Sequence, residues 1–222
     1  LVEARYSRSD ADSRTRSDKG EVAVGGLAAV FGRTFENDGS AEATATLSAG
    51  VRLDDDAPGE DAGDDAFWHL RANLSLVEPL DFIDPHAALG LHAAAQATTS
   101  DLPAIETFYL GERDLLRGYR FAEAEGDAGV GASLEARRLF RTGWEAVPTV
   151  SPFAFLDAGY IGYVEDEPGR DRDEALASAG LGVNARLGRA GSIGAWVATP
   201  LVDGPDTDAG DIAAYLTISF GW

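Results

Sequence analysis

Cysteine and methionine are both missing from this 222-residue chain. Without a thiol there is no disulfide, no thiolate metal site and no cysteine nucleophile. No run of about 18 apolar residues occurs, which excludes a transmembrane helix. A membrane is still within reach of β-strands, which span it with ~9–11 residues if every second one is apolar. Positive charge is also scarce: 18 basic residues against 38 acidic ones give a formal charge of −20. Such a chain repels nucleic acid, so no DNA or RNA partner is expected. The sequence opens directly in the strand-like stretch "LVEARYSR" with no signal peptide. It reads as a piece of a longer chain whose beginning lies elsewhere.

What is present is a period of two. In "DIAAYLTISFGW" Ile212, Ala214, Leu216, Ile218, Phe220 and Trp222 form one lane, opposite Asp211, Ala213, Tyr215, Thr217, Ser219 and Gly221. In "ALASAGLGVNARL" Ala177, Ala179, Leu181, Val183, Ala185 and Leu187 oppose Ser178, Gly180, Gly182, Asn184 and Arg186. "FWHLRANLSL" and "AEATATLSAGVRL" alternate in the same way. Successive side chains of a strand point to opposite faces, so each segment has one apolar and one polar or small face. Strands of a soluble sandwich usually stop at about five or six residues. These lanes run for ten to thirteen. At a tilt near 40° ten residues rise about 25 Å, the height of an outer-membrane apolar belt. Arg52, Arg71, Asn184 and Arg186 lie mid-strand on the second face, which fits a wet lumen.

The expected fold is therefore an all-β, antiparallel, up-and-down transmembrane barrel. Ten strands are assigned, near 2–13, 20–32, 41–53, 66–77, 86–97, 129–140, 151–163, 175–187, 191–201 and 211–222. The stretch 106–112 is left in a long external loop of about 98–128. "RTRSDK", "DDDAPGEDAGDD", 98–128, "VEDEPGRDRDE" and "VDGPDTDAG" form the long set of connections. "TFENDGS", "EPLDFIDP", "RTGWEAVPT" and "GRAG" form the short set on the other side. Long loops outside and short turns within is the outer-membrane pattern.

The long loop holds "GERDLLRGYRF". The stretch 106–140, then "FAFLDAGYIG" at 153–162, then "LASAGLGVNARL", "ATPL" and a terminal aromatic strand resemble the barrel of two-partner secretion transporters. These are the TpsB or haemolysin-activator type (ShlB, FhaC, HecB), within the superfamily that also holds BamA-like assembly factors. The resemblance covers about 70–222; the first 65 residues fit as generic strands. It implies that an external loop folds back as a lid whose tip is Leu116, Arg117, Gly118 and Tyr119, docking on the wall motif Phe155, Asp157 and Gly159. It further implies a barrel of about sixteen strands preceded by POTRA domains, so that this chain is its C-terminal part. The family's usual Gly-Gly before the lid is Gly111-Glu112-Arg113 here, a departure from the pattern.

The residue types suit that role. Arginine is a permanently charged planar fork that grips a carboxylate with two bonds. Asp157 shares a lane with Phe153, Phe155 and Gly159, while Ala154, Leu156, Ala158 and Tyr160 form the outer lane, so the aspartate should face the lumen. Gly118 permits a sharp turn. Tyr119 is expected to pack on the wall with its hydroxyl hydrated. Glu135 and Arg137, on the inward lane of "SLEARR", are candidates to extend the ionic network. Ordinary solvated roles for these charges are the plain alternative.

Other motifs carry less. The acidic loops 54–65 and 165–174 lack EF-hand spacing, and "GLGVNARLG" has no helix pattern after it. His69, His86 and His92 are expected to face inward; the last two stand ~20 Å apart along a strand, too far to share a metal. By resemblance the function is a gated pore that exports a secreted exoprotein, without enzymatic chemistry and without cofactor or metal. Its partners would be the exoprotein client, outer-membrane lipid and the barrel assembly machinery. The last reads the C-terminal signal Leu216, Ile218, Phe220 and Trp222. Two alternatives stay open: a BamA- or TamA-like insertase, and a small self-contained barrel hydrolase using His69.

Overall fold

A computed structural model of the chain describes residues 2–13, 16–53, 66–111, 115–165, 173–188 and 191–221. Every regular element among them is a strand: β1 (Val2–Ser13), β2 (Arg16–Thr34), β3 (Ser40–Arg52), β4 (Ala66–Pro79), β5 (Ala87–Ala97), β6 (Phe108–Leu110), β7 (Ala124–Gly126), β8 (Ala128–Arg138), β9 (Phe140–Trp144), β10 (Val147–Gly162), β11 (Asp173–Leu187), β12 (Gly191–Pro200) and β13 (Ala213–Phe220).

Ten of them make one antiparallel meander in the order β1-β2-β3-β4-β5-β8-β10-β11-β12-β13, with β9 pairing β10 beside it. The strands form because a period-two pattern, clearest in β4, β10, β11 and β13, places one apolar lane outward. In β10 Phe153, Phe155 and Asp157 are buried while Ala154, Leu156, Ala158 and Tyr160 are exposed. The register aligns the outward lanes: Leu76 stands opposite Leu91, Leu91 opposite Leu134, and Leu134 opposite Leu156. Leu27, Leu47, Leu156, Leu181, Leu216, Ile218 and Phe220 all remain exposed. A continuous uncovered apolar wall of this kind is unsuited to water and suited to hydrocarbon.

β5 and β8 are direct neighbours, paired from Gln96↔Gly129 down to Ala87↔Arg138. The segment between them therefore leaves and re-enters the sheet at one place. It folds against the inner face, where β6 and β7 pair as a separate two-stranded sheet. Its Leu110, Leu115, Leu116, Tyr119 and Ala124 pack with Ile161 and Leu176 of the wall. Its Leu102 packs with Val22, Val24 and Phe67. Two of the three buried apolar clusters among the described residues are thus contacts between this segment and the inner wall.

Several boundaries differ from expectation. β2 begins at Arg16, pairing Ser13, so "RTRSDK" is largely strand. "RTGWEAVPT" is not a plain turn: β9 pairs β10 through Phe140↔Val150, Arg141↔Thr149 and Trp144↔Val147, which leaves a tight connection at Glu145 and Ala146. Gly143, at φ 76°, lets β9 bend into it. The 106–112 stretch, assigned to loop, contains β6, because its backbone finds β7 as a partner. His86 lies in the turn before β5 and is exposed rather than inward; its backbone N–H bonds Asp84 Oδ1 at 2.8 Å. The aspartate's carboxyl is held below the usual range, chiefly by that bond.

Candidate functional site

The lid tip is shaped by its backbone. Leu116 has φ 60° and Gly118 φ 107°, so Arg117 sits between two left-handed residues. For a leucine this conformation costs ~1–2 kcal/mol, and its fully buried side chain holds it there. The two reversals turn both the side chain and the N–H of Arg117 toward β10. Asp157 Oδ2 accepts from Arg117 N–H at 2.9 Å and Nε–H at 3.0 Å, and Oδ1 accepts from Nη2 at 2.9 Å. Arg117 Nη2 also donates to Ser133 Oγ at 2.7 Å and Nη1 to Glu135 Oε2 at 3.1 Å. Its Cζ lies 3.4 Å from the centre of the Phe155 ring. Burial opposes the charge on Arg117, but the bonds to Asp157 and Glu135 outweigh it, and the group's pKa is raised.

Phe155 is propped in turn by neighbours on the same inner face. It meets Trp196 edge-on at 6.3 Å, and Trp196 stacks on Tyr215 at 5.4 Å. Gly159, one step along the lane from Asp157, leaves space that Leu116 and Leu110 fill. The spacing Phe155-x-Asp157-x-Gly159 thus provides a ring under the guanidinium, a carboxylate beside it and a gap for the neighbouring leucines.

Tyr119 does not stay hydrated. Its hydroxyl lies 2.9 Å from Ala177 O and 2.7 Å from Val202 O, and accepts from Ala177 N–H at 3.2 Å. Burial pushes its pKa up, which keeps it a neutral donor. Among the remaining candidates, Glu135 joins the cluster, whereas Arg137 is exposed and takes no part in it. Leu216, Ile218 and Phe220 face outward on β13, and Trp222, like Glu112 and Arg113, lies outside the described residues.

Four buried residues carry no motif in the sequence. Glu123 accepts from Arg120 N–H at 3.1 Å, Asp206 N–H at 2.8 Å and Thr207 Oγ1 at 2.7 Å, joining the lid to the 201–212 loop. Glu106 meets His69 Nε2 at 3.1 Å, and its carbonyl accepts from Arg71 at 2.7 Å. Gln96 and Asp127 complete this second cluster. Acidic and amide residues on a polar lane look alike in a sequence, and only the folded lid brings these together.

The site is thus a buried arginine–carboxylate dock between an inner segment and the wall of an antiparallel meander. The family model "Haemolysin secretion/activation protein ShlB/FhaC/HecB" matches residues 21–185, and the chain belongs to that family. Among solved structures, CdiB from Escherichia coli superposes with a TM-score of 0.73 at 19% identity, over 91% of this chain and 37% of that one. CdiB from Acinetobacter baumannii gives 0.70 at 17% identity, over 92% of this chain and 34% of that one. The chain spans little more than a third of those structures, and at this identity the likeness is one of fold. A comparison with curated protein sequences gives no significant match.

Proposed function

We propose that this chain forms wall and lid of an outer-membrane pore that exports an unfolded or extended exoprotein by two-partner secretion. The observation that carries the proposal is the buried Arg117–Asp157 latch, which fixes a lid against the inner face of a strand wall whose outer face is apolar. Family membership supports a secretion role. In this proposal no bond of the client is made or broken. The polar inner lane offers the path, the lid controls access, and the latch sets how readily it opens. The outer leucines meet lipid, and the outward lane Leu216, Ile218 and Phe220 is the feature by which assembly machinery recognises the last strand. His69, the candidate base of a hydrolase, is engaged by the lid's Glu106 instead.

The test is export by the whole protein in a Gram-negative outer membrane, with the exoprotein expressed alongside it. Arg117→Ala and Asp157→Ala are each expected to change the amount of exoprotein outside the cell by several-fold while barrel levels stay constant. Unchanged export in both variants overturns the proposal. Normal export combined with defective insertion of other barrels assigns the lid to an insertase instead.

A further inference from the structure

The lid is held at a second place, its neck, by side chains built mainly on the wall. Gln96 is the last β5 residue paired with β8 before the lid leaves the sheet. Its side-chain amide donates to Glu106 O at 3.0 Å and to Asp127 O at 2.9 Å. One carbonyl belongs to the outgoing limb of the lid and the other to the returning limb, so a single amide closes the neck between them. Arg71, the β4 register partner of Gln96, bonds the Gln96 side-chain oxygen and donates to Glu106 O at 2.7 Å. His69, on the same inner lane, meets the Glu106 carboxylate. From the returning limb, Asp127 Oδ1 accepts from Leu102 N–H and Oδ2 from Val164 N–H, each at 2.9 Å. His69, Gln96, Glu106 and Asp127 are all buried. The short β6–β7 pairing begins directly above this clip, at Phe108↔Gly126.

We infer that Gln96, with His69 and Arg71, is a fixed hinge for the lid: the neck stays clipped to β4 and β5 while the Arg117 tip undocks from β8 and β10. Two features separate the two anchors. The tip reaches the wall through side chains of its own, chiefly Arg117 and Tyr119, on strained backbone, so a substitution in the tip acts directly on its hold. The neck is bonded through main-chain carbonyls of both limbs, which wall side chains hold, so a substitution in the tip leaves its bonds in place. This assignment rests on the gating role proposed above for its functional meaning, but its geometry can be tested without export.

Because these 222 residues contain no cysteine, nitroxide labels can be placed cleanly in this region. One pair joins Ala104 at the neck to Ala158 on the outer wall; another joins Phe121 at the tip to Ala158. All three sites are exposed. Distances are read by double electron–electron resonance on the whole protein in nanodiscs. Arg117→Ala should broaden the Phe121 distribution at least two-fold and leave the Ala104 distribution unchanged. Gln96→Leu, or Gln96→Glu if the leucine variant does not assemble, should broaden the Ala104 distribution. Equal broadening at both labels in Arg117→Ala overturns the hinge, because the lid then leaves as one body. A narrow Ala104 distribution in an assembled Gln96 variant overturns it as well. Export that is insensitive to Arg117→Ala while the label results hold as expected would count against the gating role and leave the hinge standing.

Discussion

Leu116 Cδ1 lies 2.8 Å from the point where a β-carbon on Gly159 would stand, so the lid tip occupies the side chain that this wall residue lacks. Gly159→Val should therefore push the tip off the wall without touching the latch residues. Overpacking of this kind costs ~1–3 kcal/mol. Backbone amides of 115–119 should exchange with deuterium roughly ten-fold faster than in the parent protein. Unaltered exchange there would mean that the tip does not need the gap.

Arg117 and Asp157 form a buried pair with side chains 7% and 0% exposed. Removing Arg117 takes from the buried Asp157 its cation, at a cost of about 3–5 kcal/mol. Arg117→Ala should thus undock the tip strongly, and adding Asp157→Ala should recover part of the loss rather than deepen it. Protease protection of the lid in the two single variants and the double variant measures the coupling. Additive losses would show that the pair is not coupled. Arg117→Lys should also be weak, since an ammonium cannot bond both carboxylate oxygens, Ser133 and Glu135 at once.

Glu123 receives donors from its own lid and from the 201–212 loop. Its replacement by glutamine keeps the shape and removes the charge behind those bonds, each worth ~1.5–3 kcal/mol when one partner is ionised. The Asp206 amide should lose protection from hydrogen exchange by ten-fold or more, while amides of β10 stay protected. Equal protection of Asp206 in the variant would show that the loop does not depend on this carboxylate.

The raised pKa of Tyr119 has a defined sign. The neutral phenol is the form that docks, so its contribution is complete below the ordinary tyrosine range. It is lost as pH climbs through the raised value. In an alkaline titration followed by phenolate absorbance, one tyrosine should ionise later than the exposed ones, and Tyr119→Phe should remove that late step. A late step that survives the substitution would assign it to another tyrosine.

The wall was readable because period two repeats over long segments, and the tip motif because Leu116 to Tyr119 and Phe155 to Gly159 are compact signatures. The neck was not readable. β6 and β7 are three residues each, too short to show a period, and they pair only because the lid brings them together. His69 and Glu106 are 37 positions apart, and nothing local marks either as a partner of the other. Tyr119 differs from expectation in one respect: its ring packs on the wall, but its hydroxyl faces two carbonyls rather than water. The hydrated expectation assumed an open lumen, whereas the 201–212 loop closes over that point. At Arg141 to Thr149, glycine and proline mimic a long turn while the backbone continues to pair.

The alternation along β10 has a consequence for assembly. A slip of one residue in the pairing of this strand would exchange its two faces, sending Asp157 toward lipid and Leu156 toward the lid. Arg117 would then find an aliphatic surface where its carboxylate belongs, and the tip could not seat. A seated lid is therefore possible only on a correctly registered wall. The Arg117–Asp157 contact is therefore also a readout of the register of β10 against β8.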